Sequence, residues 1–424
     1  MTDAKINLDN LASFLRSINP RDGKLRSGIR AVRRDWKIPL ARMLRRHAKF
    51  DEIIGVTGSA GKSTTTRLIH AILASRNVSH VGAGINTPNG ICKRFLKKPR
   101  NARIWIQEIS GHESEAMKAA LSFVRPTVGV VTRIGMDHIS YYRSPEAIAE
   151  AKGQLVEALP EDGFAILNAD DPLVASMADK TKAKVVRFGS GPDADIRLVS
   201  WSSGYPERLV LRIRAGDQAV DITTRFLGER WITSVMAAFA TAIALGVAPE
   251  DAAELIGRVE PERFKDDVYV YSGVTFIADT YKAPYWTVES SIDIVAAAKA
   301  PRKLFLFGTL SDYRGAARKR YTTAARAALD VADLVIFYGR HAERPRRLKS
   351  EYPGRLFSFE EFDALMAFLK QTLRQDDLIY IKASGADHLE RVVLEYEKPI
   401  SCYVSRCGRL YMCNHCRHLY RGDR

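Results

Sequence analysis

"DEIIGVTGSAGKSTTTRLIHAIL", residues 51–73, reads as an apolar strand that passes through Gly58 and Gly61 into an amphipathic helix. A strand entering a helix this way aims the backbone N–H groups of residues 58–64 at one spot on the helix's positive end. The two glycines permit the close turn. Lys62 is placed to neutralise the β and γ phosphates of a nucleotide, and the Ser63 hydroxyl to ligate Mg²⁺. The strict pattern G-x-x-x-x-G-K-[ST] asks for glycine where this chain has Val56, so the loop is not of the commonest type. A plain tight turn is the competing reading, but a Gly-Lys-Ser helix start directly after a strand has little other use.

Outward from the loop, short apolar runs alternate with helical patterns, which predicts β-α-β units and a mostly parallel sheet. Strands are expected at 52–57, 78–82, 103–109, 127–132, 163–167 and 183–188, with helices at 61–76, 112–123, 145–158 and 171–180. "DIRLVSW", "ERLVLRIRA" and "QAVDITTRFLG" then alternate as an antiparallel edge. Two helices follow, ending near Val259. A second alternation, with "YVYSGVTFIADTY", "KLFLFG", "DLVIFYG" and "DLIYIKA" as strands, predicts a separate Rossmann-like α/β unit. The division expected is a basic helical arm at 1–50, an ATP-binding domain at 51–260, a smaller α/β domain at 261–400 and a cysteine-rich tail at 401–424.

The chain has 424 residues, is 46% hydrophobic and carries a formal charge of +16, a surplus that attracts acidic metabolites, acidic polymers, nucleic acid or headgroups alike. Much of that charge falls in residues 21–50. No apolar run reaches the length of a membrane span and the first residues lack the form of a signal peptide, so no membrane insertion and a cytoplasmic location are expected. Of the five cysteines, Cys402, Cys407, Cys413 and Cys416 crowd the C-terminus as C-x4-C-x5-C-x2-C, a spacing that suits a structural Zn²⁺ site. Free or redox-active thiols are the other reading.

The loop "TGSAGKS", from Thr57 to Ser63, resembles that of the Mur ligase family, ATP-dependent amide-bond ligases that also include folylpolyglutamate and poly-γ-glutamate synthases. The resemblance continues in order to Val393. It implies that Thr57, Gly58, Ser59, Ala60, Gly61, Lys62, Ser63 and Thr64 cradle ATP. "GAGINTPNGI" is similar to the loop over the active site, with Asn86 and Thr87 as substrate contacts. "WIQEISGHESEAM" gives Glu108, and "TRIGMDH" gives His138, as further ligands of Mg²⁺. Lys152 matches a lysine that in several members carries a carbamate for a second Mg²⁺; on the residues alone it also reads as a surface lysine paired with Glu150 or Glu157. Asn168 and Asp170 in "GFAILNADDP" match positions near the nucleotide. Arg263 matches a linker arginine that reaches the γ phosphate. Asp279 and Tyr281 match positions near the ribose, and Lys382 and Ser384 match a K-G-S-R motif that meets substrate.

The chain also departs from that pattern. About 50 residues precede the loop where the peptidoglycan ligases carry a uridine-nucleotide domain, so a carboxylate donor that is acidic and free of UDP is expected. Arg230, Trp231 and Ser234 replace a histidine and asparagines, leaving the adenine to stack on Trp231. Arg133 replaces an asparagine, "FGTLSDYRG" replaces a G-D-M-x-E-L-G stretch, and Gly385 stands for the motif's arginine. The activity implied is formation of an acyl phosphate from a small-molecule or polymer carboxylate, then its capture by an amine. Two other classes stay open: a P-loop ATPase or kinase binding nucleic acid through its arm and tail, and a non-catalytic ATP-binding scaffold.

Overall fold

The computed structural model describes residues 37–110, 114–135, 144–313, 315–409 and 412–420. Its first sheet has nine strands in the order β2-β3-β1-β4-β5-β6-β7-β8-β9. They are β1 Glu52–Thr57, β2 Ser79–Gly82, β3 Ile104–Glu108, β4 Val128–Val131, β5 Phe164–Asn168, β6 Lys184–Gly189, β7 Ile196–Gly204, β8 Glu207–Ala215 and β9 Gln218–Thr223. Strands β1 to β7 pair in parallel, and β7, β8 and β9 close the edge antiparallel. The parallel strands read as nearly unbroken apolar runs because helices cover both faces. Helix Ile232–Ala244 is buried along almost its whole length, packed on β5 and β6 of the sheet and beside helix Lys62–Leu73, which lies over β2 and β3.

The second sheet has six strands in the order β10-β11-β15-β12-β13-β14. These are β10 Lys265–Tyr271, β11 Val274–Asp279, β12 Arg302–Phe307, β13 Leu334–Tyr338, β14 Leu356–Phe359 and β15 Asp377–Lys382. All pair in parallel except β10, which runs antiparallel to β11. The stretch expected as one strand, "YVYSGVTFIADTY", is therefore a hairpin. Ser272 and Gly273 both have positive φ, 51° and 74°, the backbone of a two-residue turn whose twist matches its strands. Strand β14 is short and carries no alternation strong enough to announce it.

Beyond β15 the tail folds back onto the second unit instead of standing apart. Cys413 and Leu419 are buried in its core, and Ser401 N–H donates to Leu419 O at 2.7 Å. Of the basic arm, residues 1–36 lie outside the described residues, and Lys37–His47 is a helix. Among the described residues no helix is long and apolar enough to cross a membrane.

Candidate active site

Strand order reverses around β1, with β3 on one side and β4 on the other. The crevice beyond the carboxyl ends of such strands is where open α/β sheets bind ligands, and the loop Thr57–Ser63 lies there. Gly58 has φ of +143°, and a Cβ on it would lie 2.0 Å from Thr132 Oγ1. Gly61, at φ +81°, would bring a Cβ to 2.6 Å from Ser234 Oγ. Both positions therefore exclude any side chain. Lys62 Nζ donates to Gly58 O at 2.7 Å, folding back over the loop as a phosphate-facing lysine must. Thr132 Oγ1 donates to Ala60 O at 2.6 Å, and Gly135 N–H donates to Ser59 Oγ at 2.9 Å, so the β4 end braces the cradle. Thr57 and Thr64 are buried beneath it.

Glu108 stands opposite Val56 in the β1–β3 register and is 2% exposed. Its carboxylate accepts from Ser63 Oγ at 2.6 Å, Gly84 N–H at 2.7 Å and Asn86 Nδ2 at 2.8 Å. Sequence reasoning placed Asn86 and Thr87 on substrate. Here Asn86 orients Glu108, and Thr87 Oγ1 caps helix Pro88–Phe95 by accepting from Gly90 N–H at 3.3 Å. Gln107, which the motifs did not suggest, donates to Gly82 O, Ile85 O and Glu108 O and so holds the glycine-rich loop against β3. A buried glutamine beside a strand-end carboxylate was the only signal for it.

His138 lies outside the described residues. Lys152 is 4% exposed, so the surface-lysine reading is corrected; it is Lys180 that pairs with Glu150 at 2.6 Å and Glu157 at 3.1 Å. Asn168 donates to Thr132 O at 2.8 Å and accepts from Asp170 N–H at 3.0 Å, while the Asp170 carboxylate takes Ser190 N–H at 2.8 Å. Both thus brace the loops around the crevice. Asp171, also unforeseen, caps the next helix and accepts Ile134 N–H at 2.6 Å.

The residues expected near adenine and ribose are placed differently. Trp231 is buried in the first core, its ring 5.2 Å from Phe226 and overlain by the Arg230 guanidinium at 4.6 Å. Arg230 ion-pairs with Asp266 and, at 2.8 Å, with Asp279. Lys382 Nζ reaches the same Asp279 oxygen at 2.5 Å and is 0% exposed, and Tyr380 donates to Asp266. Burial and the Asp279 charge push the Asp266 carboxyl up to about 6 against the pull of Arg230. Against the same burial, Arg230 and Lys382 hold Asp279 below the usual carboxylate range. Burial lowers the Lys382 ammonium despite its partner. Asp279 is therefore held by both Lys382 and Arg230 in this structure. Ser384 Oγ donates to Asp387 in a capping box, and Tyr281 lies exposed under Lys265 Nζ at 4.4 Å. Arg263 pairs with Glu397 at 2.7 Å, so its guanidinium is held by the second unit and not by the loop.

The four cysteines do not close as a set. Among the described residues, the group whose ligand atoms lie within 4.8 Å of one another is His388, Glu390 and Cys413.

A phosphate cradle on β1, a carboxylate–hydroxyl pair at its mouth and a second α/β unit joined to it define a nucleotide-dependent two-domain enzyme. The model of the Mur ligase middle domain matches residues 56–242, and that of the Mur ligase, glutamate ligase domain matches residues 257–385. The chain belongs to the Mur ligase family, and so to the ATP-dependent ligases that form C–N bonds. It is 28% identical over 357 residues to a UDP-N-acetylmuramoyl-tripeptide–D-alanyl-D-alanine ligase of Bacillus subtilis, covering 82% of this chain and 77% of that one. A ligase of the same name from Mycobacterium tuberculosis is 28% identical over 365 residues, 80% of this chain and 72% of its own. Among solved structures, MurF of Thermotoga maritima in complex with ADP superposes with a TM-score of 0.74 at 20% identity, covering 86% and 83% of the two chains. A UDP-N-acetylmuramoylalanyl-D-glutamyl-2,6-diaminopimelate–D-alanyl-D-alanyl ligase of Acinetobacter baumannii gives 0.76 at 19% identity over 85% and 79%. At these identities the structural likeness is one of fold.

Proposed function

We propose that this protein uses ATP to activate a carboxylate of a UDP-linked muramoyl peptide and joins it to an amino acid or short peptide through the latter's amine. The observation that carries the reading is the 2.6 Å contact of Ser63 Oγ with Glu108 across the mouth of the phosphate-binding loop. It sets a hydroxyl and an anionic carboxylate beside the positive end of helix Lys62–Leu73, where the γ phosphate of ATP would lie. Lys62 and the loop N–H groups neutralise the phosphates. A substrate carboxylate oxygen attacks the γ phosphorus and ADP leaves; the amine then attacks the acyl carbonyl and inorganic phosphate leaves. Such chemistry rests on positioning and charge neutralisation and needs no protein nucleophile.

Ser63 and Glu108 are hard oxygen donors and fit Mg²⁺, which when bound would supply further neutralisation of the phosphate oxygens. His138, outside the described residues, is assigned as a further Mg²⁺ ligand by the motif alone. Lys152 is assigned as the lysine that carries a carbamate, a role supported by its burial. The relatives that match four-fifths of the chain are named for UDP-linked acids, which argues against a donor free of UDP and is why the donor is drawn as UDP-linked. ADP release is measured with UDP-N-acetylmuramoyl-tripeptide and D-alanyl-D-alanine, together and separately, and with a γ-glutamyl peptide plus glutamate. Release that requires the first pair together is expected. Release with the γ-glutamyl pair alone would overturn the substrate, and RNA-stimulated release without any acid would overturn the ligase reading.

A further inference from the structure

Strand β15 leads through His388 into helix Glu390–Glu397, and the tail returns across this corner. Arg391 Nη1 donates to Cys402 O at 3.1 Å and Val404 O at 3.0 Å, and Phe362 N–H donates to Ser405 Oγ at 2.9 Å. Between tail and helix lies a cavity of about 470 Å³ whose walls include His388, Arg391 and all four tail cysteines. Within it Cys413 Sγ lies 3.5 Å from His388 Nδ1. With Zn–S near 2.3 Å and Zn–N near 2.1 Å, two ligands of one tetrahedral ion sit about 3.6 Å apart, so this pair already has ligand spacing. Cys413 and Cys416 are joined by a single tight turn, with Cys416 N–H donating to Cys413 O at 2.8 Å. Cys402 Sγ lies 4.0 Å from Arg391 Nη1.

A second observation points the same way. Glu390 Oε2 is buried without a hydrogen-bond partner among the described residues, and Glu390, His388 and Cys413 bring ligand atoms within 4.8 Å of one another. Buried acceptors in a native fold are nearly always satisfied, so an orphaned carboxylate oxygen beside this pair calls for a cation or water. We propose that this cavity holds one thiophilic divalent cation, represented by zinc, on His388 and Cys413, which already stand at ligand spacing, with Cys402 and Cys416 closing in from the cavity wall to complete the set. Glu390 positions the site by accepting Cys413 N–H at 2.7 Å. Cys407 stays on the wall, where no hydrogen bond among the described residues fixes its sulfur. A ligand drawn from the α/β unit changes what the ion does. A four-cysteine site would fold the tail alone; this one fastens the tail to the end of β15, next to the turn in which Asp387 holds Thr309 N–H at 2.7 Å.

The full chain, purified without a metal-affinity step, is analysed for zinc by elemental mass spectrometry and then loaded with Co²⁺, whose visible bands report thiolate number and geometry. One zinc per chain and a tetrahedral spectrum with three sulfurs are expected. His388→Ala and Cys413→Ser should weaken Co²⁺ binding by at least about tenfold, since even partners beyond the ligands contribute that much. Cys407→Ser should keep both stoichiometry and spectrum. Because the alanine variant could misfold, His388→Cys serves beside it: it should retain one ion with bands shifted to a four-sulfur pattern. No bound metal in the wild type overturns the proposal. So does a His388→Ala protein with the wild-type spectrum, which together with metal loss in Cys407→Ser would assign the ion to the cysteines alone.

Discussion

Glu108→Gln asks whether the carboxylate at the end of β3 acts through its charge or only through its shape. The wild-type group accepts three hydrogen bonds, from Ser63, Gly84 and Asn86 at 2.6, 2.7 and 2.8 Å. Glutamine preserves volume and most of the geometry. Its oxygen can accept from Ser63 and Gly84, and its amide can donate to Asn86 once that side chain turns over. What disappears is the charge. A bond to an ionised acceptor is worth about 1 kcal/mol more than one to a neutral acceptor, so three bonds lose about 3 kcal/mol together. If all of it fell on the transition state, kcat/KM would drop about a hundredfold. Part will instead appear as loop stability, and for a unit of about 200 residues such as the first one each kcal/mol lowers Tm by about 2–4 °C. The assay is steady-state ADP release over a Mg²⁺ series, with thermal unfolding in parallel. The expected result is a fall in kcat/KM of between about tenfold and a hundredfold, with a higher Mg²⁺ requirement. Unchanged kcat/KM with a lowered Tm would refute the reasoning, because Glu108 would then only scaffold the loop.

Gly58→Ala forces a Cβ to 2.0 Å from Thr132 Oγ1 at a φ of +143°. With about 1–3 kcal/mol of strain at such a site, ADP affinity by calorimetry should fall about tenfold or more while the far-UV spectrum is kept; wild-type affinity would contradict the cradle. Lys152→Ala should abolish turnover, and Lys152→Glu, which returns a carboxylate to that place, should recover part of it; equal loss in both counts against the carbamate. His80 on β2 is buried, and burial together with Arg94 and Lys98 pushes its imidazole down to about 4. The unfolded chain takes up that proton near pH 6.5 and the folded chain only near 4, so stability falls as pH drops through this window, by about 2 kcal/mol after discounting for partial solvent screening. His80→Leu should flatten chemical-denaturation stability between those pH values, and an unchanged slope would place the effect elsewhere. Arg230→Met leaves two buried aspartates facing Lys382 alone and should cost about 3–5 kcal/mol, seen as a lowered Tm, with part regained in Arg230→Met/Asp266→Asn.

The elements on the phosphate side were legible because local signals agree there. The run "DEIIGVTG", the glycines and the Gly-Lys-Ser helix start each fit β1 and its loop, and Glu108 sits where a strand-end carboxylate should. What could not be read is anything decided by a partner distant in sequence. Lys152 and Lys180 lie near the same glutamates in chain or in space, and only the fold decides that Lys180 takes them. Ser272-Gly273 was hidden because Tyr269 to Tyr281 is apolar enough to pass for one strand, and the turn depends on two residues accepting positive φ. The spacing of Cys413 ties it to the other tail cysteines, whereas His388, whose Nδ1 is 3.5 Å from its sulfur, comes from the preceding unit.

Asp279 and Lys382 show why a motif's address and its role must be separated. Both sit at the carboxyl ends of adjacent strands, β11 and β15, paired in register, which is where ligands are expected. Yet Lys382 is fully buried, and Arg230, one of the departures from the family pattern, arrives from the first unit to complete the set. Two cations, Arg230 and Lys382, then face two carboxylates, Asp266 and Asp279, and the group is charge-balanced without any ligand. A buried balanced set adds little net stability over an apolar one of equal volume, but removing one member leaves an unpaired charge that is expensive. Through this set the segment before helix Ile232–Ala244, which carries Arg230, is tied to Asp266 of β10 and Asp279 of β11. The same helix places Ser234 against Gly61, so the charges that fix the second unit and the contact that shapes the phosphate loop are carried on one continuous stretch of chain.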